Sequence, residues 1–131
     1  MLLDDTVLVD IGMPVFNGGR FIEEALCSLS SQSFTAWRLL IADNASTDET
    51  EEICRKYSKL DSRIQYVKHE SNIGAPANFK YVLDRAKAPY FMWAAADDLW
   101  SSEFIYNCVR RLSGQTKIGM AFTGVDIIDS F

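Results

Sequence analysis

The sequence predicts an α/β fold, a three-layer αβα arrangement around a mainly parallel sheet, and three observations carry that prediction. Apolar runs of strand length alternate with segments whose apolar residues recur at helical spacing, in the order βαβαβαβαβ. The connections are short, as expected when helices cross from one parallel strand to the next. Polar residues also gather directly after three strand ends: Pro14-Val15-Phe16-Asn17, Asp43-Asn44-Ala45-Ser46 and Ala96-Asp97-Asp98. In a parallel sheet such loops open on one edge, where α/β folds bind ligands. A chain of 131 residues that is 48% hydrophobic suits a single domain over residues 1–131, with a real core, or part of one domain.

The first strand runs from Thr6 to Val15, with Pro14 near its end because proline has no N–H to give a ladder. Asn17-Gly18-Gly19 breaks the pattern, and Phe21, Ile22, Ala25, Leu26 and Leu29 then mark a helix to about Gln32. Trp37 to Ala42 reads as a second buried strand. Ser46 and Glu49 have capping-box spacing for the next helix, whose apolar stripe is Ile53, Cys54, Tyr57 and Leu60. Arg63 to Lys68 mixes apolar and polar residues, as a strand near a sheet edge does. Beyond Ser71-Asn72-Ile73-Gly74 a helix is expected to turn Phe79, Val82, Leu83 and Ala86 inward and to stop before Pro89. Tyr90 to Ala96 reads as a central buried strand ending in Asp97 and Asp98. A helix bearing Phe104, Ile105, Cys108, Val109 and Leu112 follows, closed by Gly114, and Ile118 to Thr123 reads as a fifth strand.

Composition excludes several functions. The net charge of -5, with no basic cluster interleaved with aromatics, argues against nucleic acid. No apolar run approaches the length of a membrane span, and Met1-Leu2-Leu3-Asp4-Asp5 lacks the basic start of a signal sequence, so a cytoplasmic domain is expected. Cys27, Cys54 and Cys108 are odd in number, without Cys-x-x-Cys spacing, and are expected as buried reduced thiols. His69 is the only histidine, which leaves little material for a histidine triad or a zinc site.

Adjacent carboxylates at a strand end suit a hard divalent cation, which one or two carboxylates typically hold together with substrate phosphates. Acidic residues also begin turns and precede helices, and Asp97 and Asp98 fit that use before a helix near Ser101. Gly-x-Gly-x-x-Gly after the first strand and Gly-Lys-Ser/Thr loops are absent, so dinucleotide and P-loop chemistry is not indicated. With no such cradle, a diphosphate beside Asp97 requires an intervening Mg²⁺ or Mn²⁺. Asp43 could accept a hydrogen bond from a base or ribose, and Phe16 could lie against a base face. A phospho-acceptor signalling domain would need an acidic cluster near the first strand and a lysine at a strand end; Asp10 lies inside that strand, and Thr123-Gly124 follows the last one.

Five blocks in order, Val9-Asp10-Ile11-Gly12-Met13-Pro14-Val15-Phe16-Asn17, Phe21-Ile22-Glu23-Glu24-Ala25-Leu26, Ala42-Asp43-Asn44-Ala45-Ser46-Thr47-Asp48, Asn72-Ile73-Gly74 with Asn78, and Asp97-Asp98, resemble the nucleotide-binding half of family 2 glycosyltransferases with the GT-A fold. The resemblance implies a nucleoside-diphosphate-sugar donor, usually UDP- or dTDP-linked, with Mg²⁺ or Mn²⁺. It implies that Pro14, Phe16 and Asn17 line the base and ribose, that Asp43 reads the base edge, and that Asn44, Ser46, Asn72 and Asn78 shape the pocket. Asp97 falls on the metal-ligand position, with Asp98 beside it as support or a ribose contact; these two are the candidate catalytic residues. The family's Asp-x-Asp motif departs here, because Ala95 stands where its first aspartate does.

The chain ends at Phe131, before the acceptor-binding part and the later carboxylate that such enzymes use as base, and neither Asp126 nor Asp129 is assigned that role. The reading is therefore the donor-binding part of an inverting, metal-assisted transferase acting on a hydroxyl acceptor, in which the sugar, glycan or lipid-linked acceptor is undetermined. The 131-residue chain is expected to be inactive alone and prone to self-association. The alternative is a noncatalytic nucleotide-sugar-binding or interaction domain on the same fold.

Overall fold

β1, Val9–Val15, is the strand on which the sheet is built, because both of its faces are buried and it has a neighbour on each side. The computed structural model describes residues 7–128. In chain order the remaining elements are α1 Ile22–Ser30, β2 Trp37–Asp43, α2 Thr50–Leu60, β3 Ile64–Lys68, α3 Ala75–Leu83, β4 Tyr90–Trp93 and α4 Phe104–Leu112. The strands lie in the order β3-β2-β1-β4, all parallel. β1 and β2 pair along their full lengths, Val9 with Trp37 through Val15 with Asp43. The β4 ladder stops at Gly12 with Trp93, so Pro14 lies beyond the stretch that is flanked on both sides.

Alternation along β1 divides the core. Val9, Ile11, Met13 and Val15 face a large apolar cluster that includes Trp37, Leu39 and Ile41 of β2, Ile22, Ala25, Leu26 and Leu29 of α1, Cys54 of α2, and Ile105 and Val109 of α4. Gly12 faces the other way, toward α3. A Cβ there would lie 2.6 Å from Val82 Cγ2, so the missing side chain is what lets α3 sit against the sheet. At the amino end of β1, buried Asp10 accepts hydrogen bonds from the N–H groups of Lys87 (2.6 Å) and Ala88 (2.9 Å) and pairs with Arg38 at 2.8 Å. Burial by itself would raise the Asp10 carboxyl, but these donors outweigh it and hold it below the ordinary aspartate value.

The predicted order of strands and helices holds through α4, and β3 does lie at an edge. Several expectations are corrected. β4 is not central: among the described residues it forms the other edge, and its four residues are half-buried or exposed. Ile118 to Thr123 forms no strand: among the described residues it pairs with no other backbone, and Met120 and Phe122 are exposed. On α3 only Val82 of the expected apolar stripe is fully buried; Phe79 and Leu83 are exposed, Phe79 beside Trp93 of β4, and Leu60 at the end of α2 is exposed. Cys54 is buried and its thiol pushed up to about 12 by burial, whereas Cys27 is exposed and Cys108 half-buried. The capping box does not form, since the Ser46 hydroxyl is drawn to the β1–α1 loop and Asp48 instead accepts the Thr50 N–H. Thr6, the Met1–Asp5 leader reading and Asp129 lie outside the described residues.

Candidate functional site

The carboxyl ends of β1, β2 and β4 meet as the parallel sheet requires. A cleft of about 560 Å³ opens there, lined by Pro14 to Gly18 from β1, Phe79 from α3 and Trp93 to Asp98 from the end of β4. Of the residues singled out in the sequence, the structure brings Pro14, Phe16, Asn17, Asp97 and Asp98 to this cleft. Asp43, Asn44, Ser46, Asn72 and Asn78 do not line it; they form a hydrogen-bonded frame among the neighbouring loops.

Asp97 and Asp98 are the last two residues of a turn in which the Asp98 N–H reaches the Ala95 carbonyl at 3.4 Å. Both are exposed, and among the described residues neither carboxylate has a hydrogen-bond or ion-pair partner. Just beyond them the chain is tied to α1: the Trp100 N–H reaches the Ser28 hydroxyl at 3.3 Å, and buried Gln32 donates to the Ser101 carbonyl at 2.7 Å and accepts from the Ile105 N–H at 3.0 Å. The two carboxylates therefore project from a turn anchored on both sides. No group of three or more His, Cys, Asp or Glu among the described residues could enclose a metal ion. Two free carboxylates suit a cation that takes its remaining ligands from a bound phosphate.

Asp43 has no exposed surface. One of its oxygens accepts the Ser46 N–H at 2.8 Å and the other the Tyr66 hydroxyl at 2.6 Å. Burial, and then this bond to a carboxylate, push the Tyr66 phenol well above its ordinary value. Asn44 donates to the Asn72 side chain at 2.9 Å and accepts the Ile73 N–H at 2.8 Å, joining the β2–α2 loop to the β3–α3 loop. Buried Asn78 donates to the Ala42 carbonyl at 2.8 Å and meets His69 Nε2 at 2.9 Å. Asn17 and Ala45 adopt positive φ, 52° and 64°. Asn tolerates that region, whereas Ala45 costs roughly 1–2 kcal/mol per such residue and is held there only by the bonds around it.

The loop after β1 offers no free amides at its tip. The N–H groups of Asn17, Gly18 and Gly19 donate in turn to Ser46 Oγ (2.9 Å), Thr50 Oγ1 (3.0 Å) and Asp48 Oδ2 (2.8 Å). An incoming phosphate finds no backbone cradle here.

Sequence reasoning missed Phe79 and Trp93 as cleft residues and Tyr66, Asp48 and Thr50 as frame. Trp93 is 49% and Phe79 46% exposed, with ring centroids 6.2 Å apart. Their signal in the sequence was indistinguishable from that of core residues, because both continue an apolar pattern.

Comparison with known proteins bears on this geometry. The teichuronic acid biosynthesis glycosyltransferase TuaG of Bacillus subtilis is 31% identical over 121 residues, covering 92% of this chain and 48% of TuaG. The glycosyltransferase GlyA of Streptococcus pneumoniae is 27% identical over 112 residues, 86% of this chain and 16% of its own length. The chain thus spans about half or less of these relatives. Among solved structures, S. aureus TarS 1-349 in complex with UDP-GlcNAc superposes with a TM-score of 0.71 at 25% identity, over 76% of this chain and 29% of TarS 1-349. The mannosyltransferase PcManGT of Pyrobaculum calidifontis, in complex with GDP-Man and Mn²⁺, has a TM-score of 0.74 at 24% identity over 82% of this chain and 33% of its own, a likeness of fold. The three-layer α/β arrangement is that of the GT-A transferases. The model of the family described as Glycosyl transferase family 2 matches residues 10–129, a span that takes in all but the first residue of the eight elements, and the chain belongs to that family.

Proposed function

We propose that this chain is the donor-binding part of a glycosyltransferase that takes a sugar from a nucleoside diphosphate, UDP- or dTDP-linked, to a hydroxyl acceptor with inversion. The observation that carries the reading is the pair of exposed, unpartnered carboxylates, Asp97 and Asp98, at the ligand edge of a sheet of this family. They share the cleft with a loop whose amides are already engaged. A diphosphate could not rest beside two bare carboxylates, so Asp97, with Asp98 in support, would hold Mg²⁺ or Mn²⁺. When bound, that ion supplies positive charge against the diphosphate leaving group. TarS, solved with UDP-GlcNAc, supports a uridine donor by similarity.

The side chains present divide the remaining work. Pro14 and Phe16 offer an apolar wall to the base and ribose, and Asn17, whose Oδ1 accepts the Thr47 N–H at 2.9 Å, leaves its side-chain NH₂ to meet them. The Phe16 ring, 53% exposed, is free to lie against a base face. Asn44, Ser46, Asn72 and Asn78 fix the loops around the pocket. Asp43 is assigned to that frame rather than to a base contact, since both of its oxygens are engaged and neither is exposed. The acceptor site and the base that deprotonates the acceptor hydroxyl are assigned to the part of the relatives that this chain does not span. Asp126, in an exposed segment after α4, is given no role. No helix among the described residues is long and apolar enough to cross a membrane, and the domain is proposed to work in the cytoplasm, or at a membrane surface as part of the complete protein.

A second reading is favoured by one observation: Ala95 stands where the family's metal motif begins with aspartate, which suits a noncatalytic nucleotide-sugar-binding domain. Titration of UDP, UDP-GlcNAc, dTDP and GDP into the chain, with Mn²⁺ and with EDTA, tests donor binding. Binding of a uridine or thymidine nucleotide that requires the metal supports the proposal, and no binding of any of the four refutes it. Transfer by a longer chain carrying the acceptor part then separates enzyme from binding module.

A further inference from the structure

Thr50 and Asp48 belong to α2 and the turn before it, lie outside the cleft lining, and are engaged with the loop that lines it. Thr50 has no exposed surface although it carries a hydroxyl. That hydroxyl accepts the Gly18 N–H at 3.0 Å and donates to Asp48 Oδ1 at 2.5 Å, while Asp48 Oδ2 accepts the Gly19 N–H at 2.8 Å. A relay thus runs from the loop amide through the hydroxyl to a carboxylate. Asp48 holds the Gly19 amide directly and the Gly18 amide through the Thr50 hydroxyl.

Close packing extends the relay to the carboxylate turn. A Cβ at Gly19 would lie 2.8 Å from Asp48 Oδ2, and one at Gly18 would lie 2.7 Å from Val15 Cγ2 and 3.2 Å from the Ala96 Cβ. The loop is therefore gripped from two sides, by Asp48 behind and by the residue next to Asp97 in front. Gly18 and Ala96 both line the cleft and leave no room between them for a side chain at position 18, so a shift of Gly18 changes the spacing between the β1–α1 loop and the turn that carries Asp97.

We propose that Thr50 and Asp48 are positioning residues of the site: they set the distance between the β1–α1 loop and the Ala96–Asp97 turn, so that one nucleoside diphosphate engages both. The assignment rests on the donor-binding reading above. Neither residue touches the ligand; each acts through Gly18 and Gly19.

The experiment measures UDP affinity, and the Mn²⁺ concentration at half-maximal binding, for the wild-type chain, Thr50→Val and Thr50→Ser, by calorimetry at 10 °C with folding checked by circular dichroism. Valine keeps the shape and removes the hydroxyl, whereas serine keeps the hydroxyl. Thr50→Val is expected to weaken UDP by about tenfold, the scale of a hydrogen bond to a charged network, and to raise the Mn²⁺ midpoint, with Thr50→Ser restoring both. If Thr50→Val does not fold, Asp48→Asn, which keeps one acceptor oxygen, takes its place and should shift the same two quantities. Wild-type UDP affinity and an unchanged Mn²⁺ midpoint in a folded variant that merely melts lower would overturn the proposal alone and make the relay purely structural. Absence of UDP binding by the wild-type chain would overturn the donor-binding reading, and this proposal with it.

Discussion

Replacing Tyr66 by phenylalanine isolates one bond in the frame beneath the cleft. The hydroxyl lies 2.6 Å from an oxygen of Asp43, a residue with no exposed surface. Phenylalanine fits the same space, so packing is conserved and the loss is confined to the bond. Water cannot replace the donor at a buried carboxylate, so the cost sits at the upper end for a hydrogen bond, about 1.5–3 kcal/mol for a charged acceptor. In a domain of this size a loss near 2 kcal/mol lowers Tm by roughly 6–10 °C. A pH arm gives an independent check. The Tyr66 phenol is raised in the folded state, by burial and then by Asp43, above its ordinary value of 10.0. Above that pH the unfolded chain gives up this proton while the folded chain keeps it, so this part of the stability falls as pH rises. Urea denaturation of wild type and Tyr66→Phe at pH 7 and above pH 10 should show the gap between them narrowing on the alkaline side. The assignment of Asp43 to the frame also requires that freeing its oxygen does not tighten UDP. Stability within about 0.5 kcal/mol of wild type, the range of a neutral surface substitution, would refute the reasoning on the bond; tighter UDP binding would return Asp43 to the base edge.

Two further predictions follow from the opposite end of the sheet and from the tail. Asp10 is held below the ordinary aspartate value of 3.8 against its own burial by the Lys87, Ala88 and Arg38 donors, so its contribution is complete above that value and is lost as pH falls through the lowered one; in acid titrations followed by circular dichroism, Asp10→Asn should be less stable than wild type at pH 7 and should lose less below about pH 4. Met120 and Phe122 are 76% and 86% exposed and carry no packing, so the double change Met120→Ser with Phe122→Ser should leave stability within about 0.5 kcal/mol and should reduce self-association of the chain, measured by light scattering at several concentrations.

The parts of the fold that were legible from the sequence are those fixed by local pattern. β1 and β2 are largely apolar runs, broken only by Asp10 and Arg38 before their polar ends, and turn residues bound them. What was not legible depends on neighbours. Tyr90 to Trp93 has the composition of a central strand, yet among the described residues it pairs with β1 alone and lies at an edge. Ile118 to Thr123 has the composition of a strand and, among those residues, no ladder. The site divides likewise. Strand-end position places Asp97, Asp98, Phe16 and Asn17 in one cleft, since a parallel sheet forces its loops together. It could not show that Asp43 meets Tyr66, or that the Ser46 hydroxyl holds the Asn17 amide rather than capping α2, because those pairings join residues 23 and 29 positions apart.

The central claim is that Asp97 holds the donor diphosphate through a divalent cation, and calorimetry of UDP with wild type and Asp97→Ala, each in Mn²⁺ and in EDTA, tests it most directly. Asp97 is exposed and unpartnered among the described residues, so its removal should leave Tm unchanged. UDP should bind wild type in Mn²⁺ and not in EDTA, and should bind Asp97→Ala weakly and without regard to the metal. Equal, metal-independent binding by both proteins would contradict the claim.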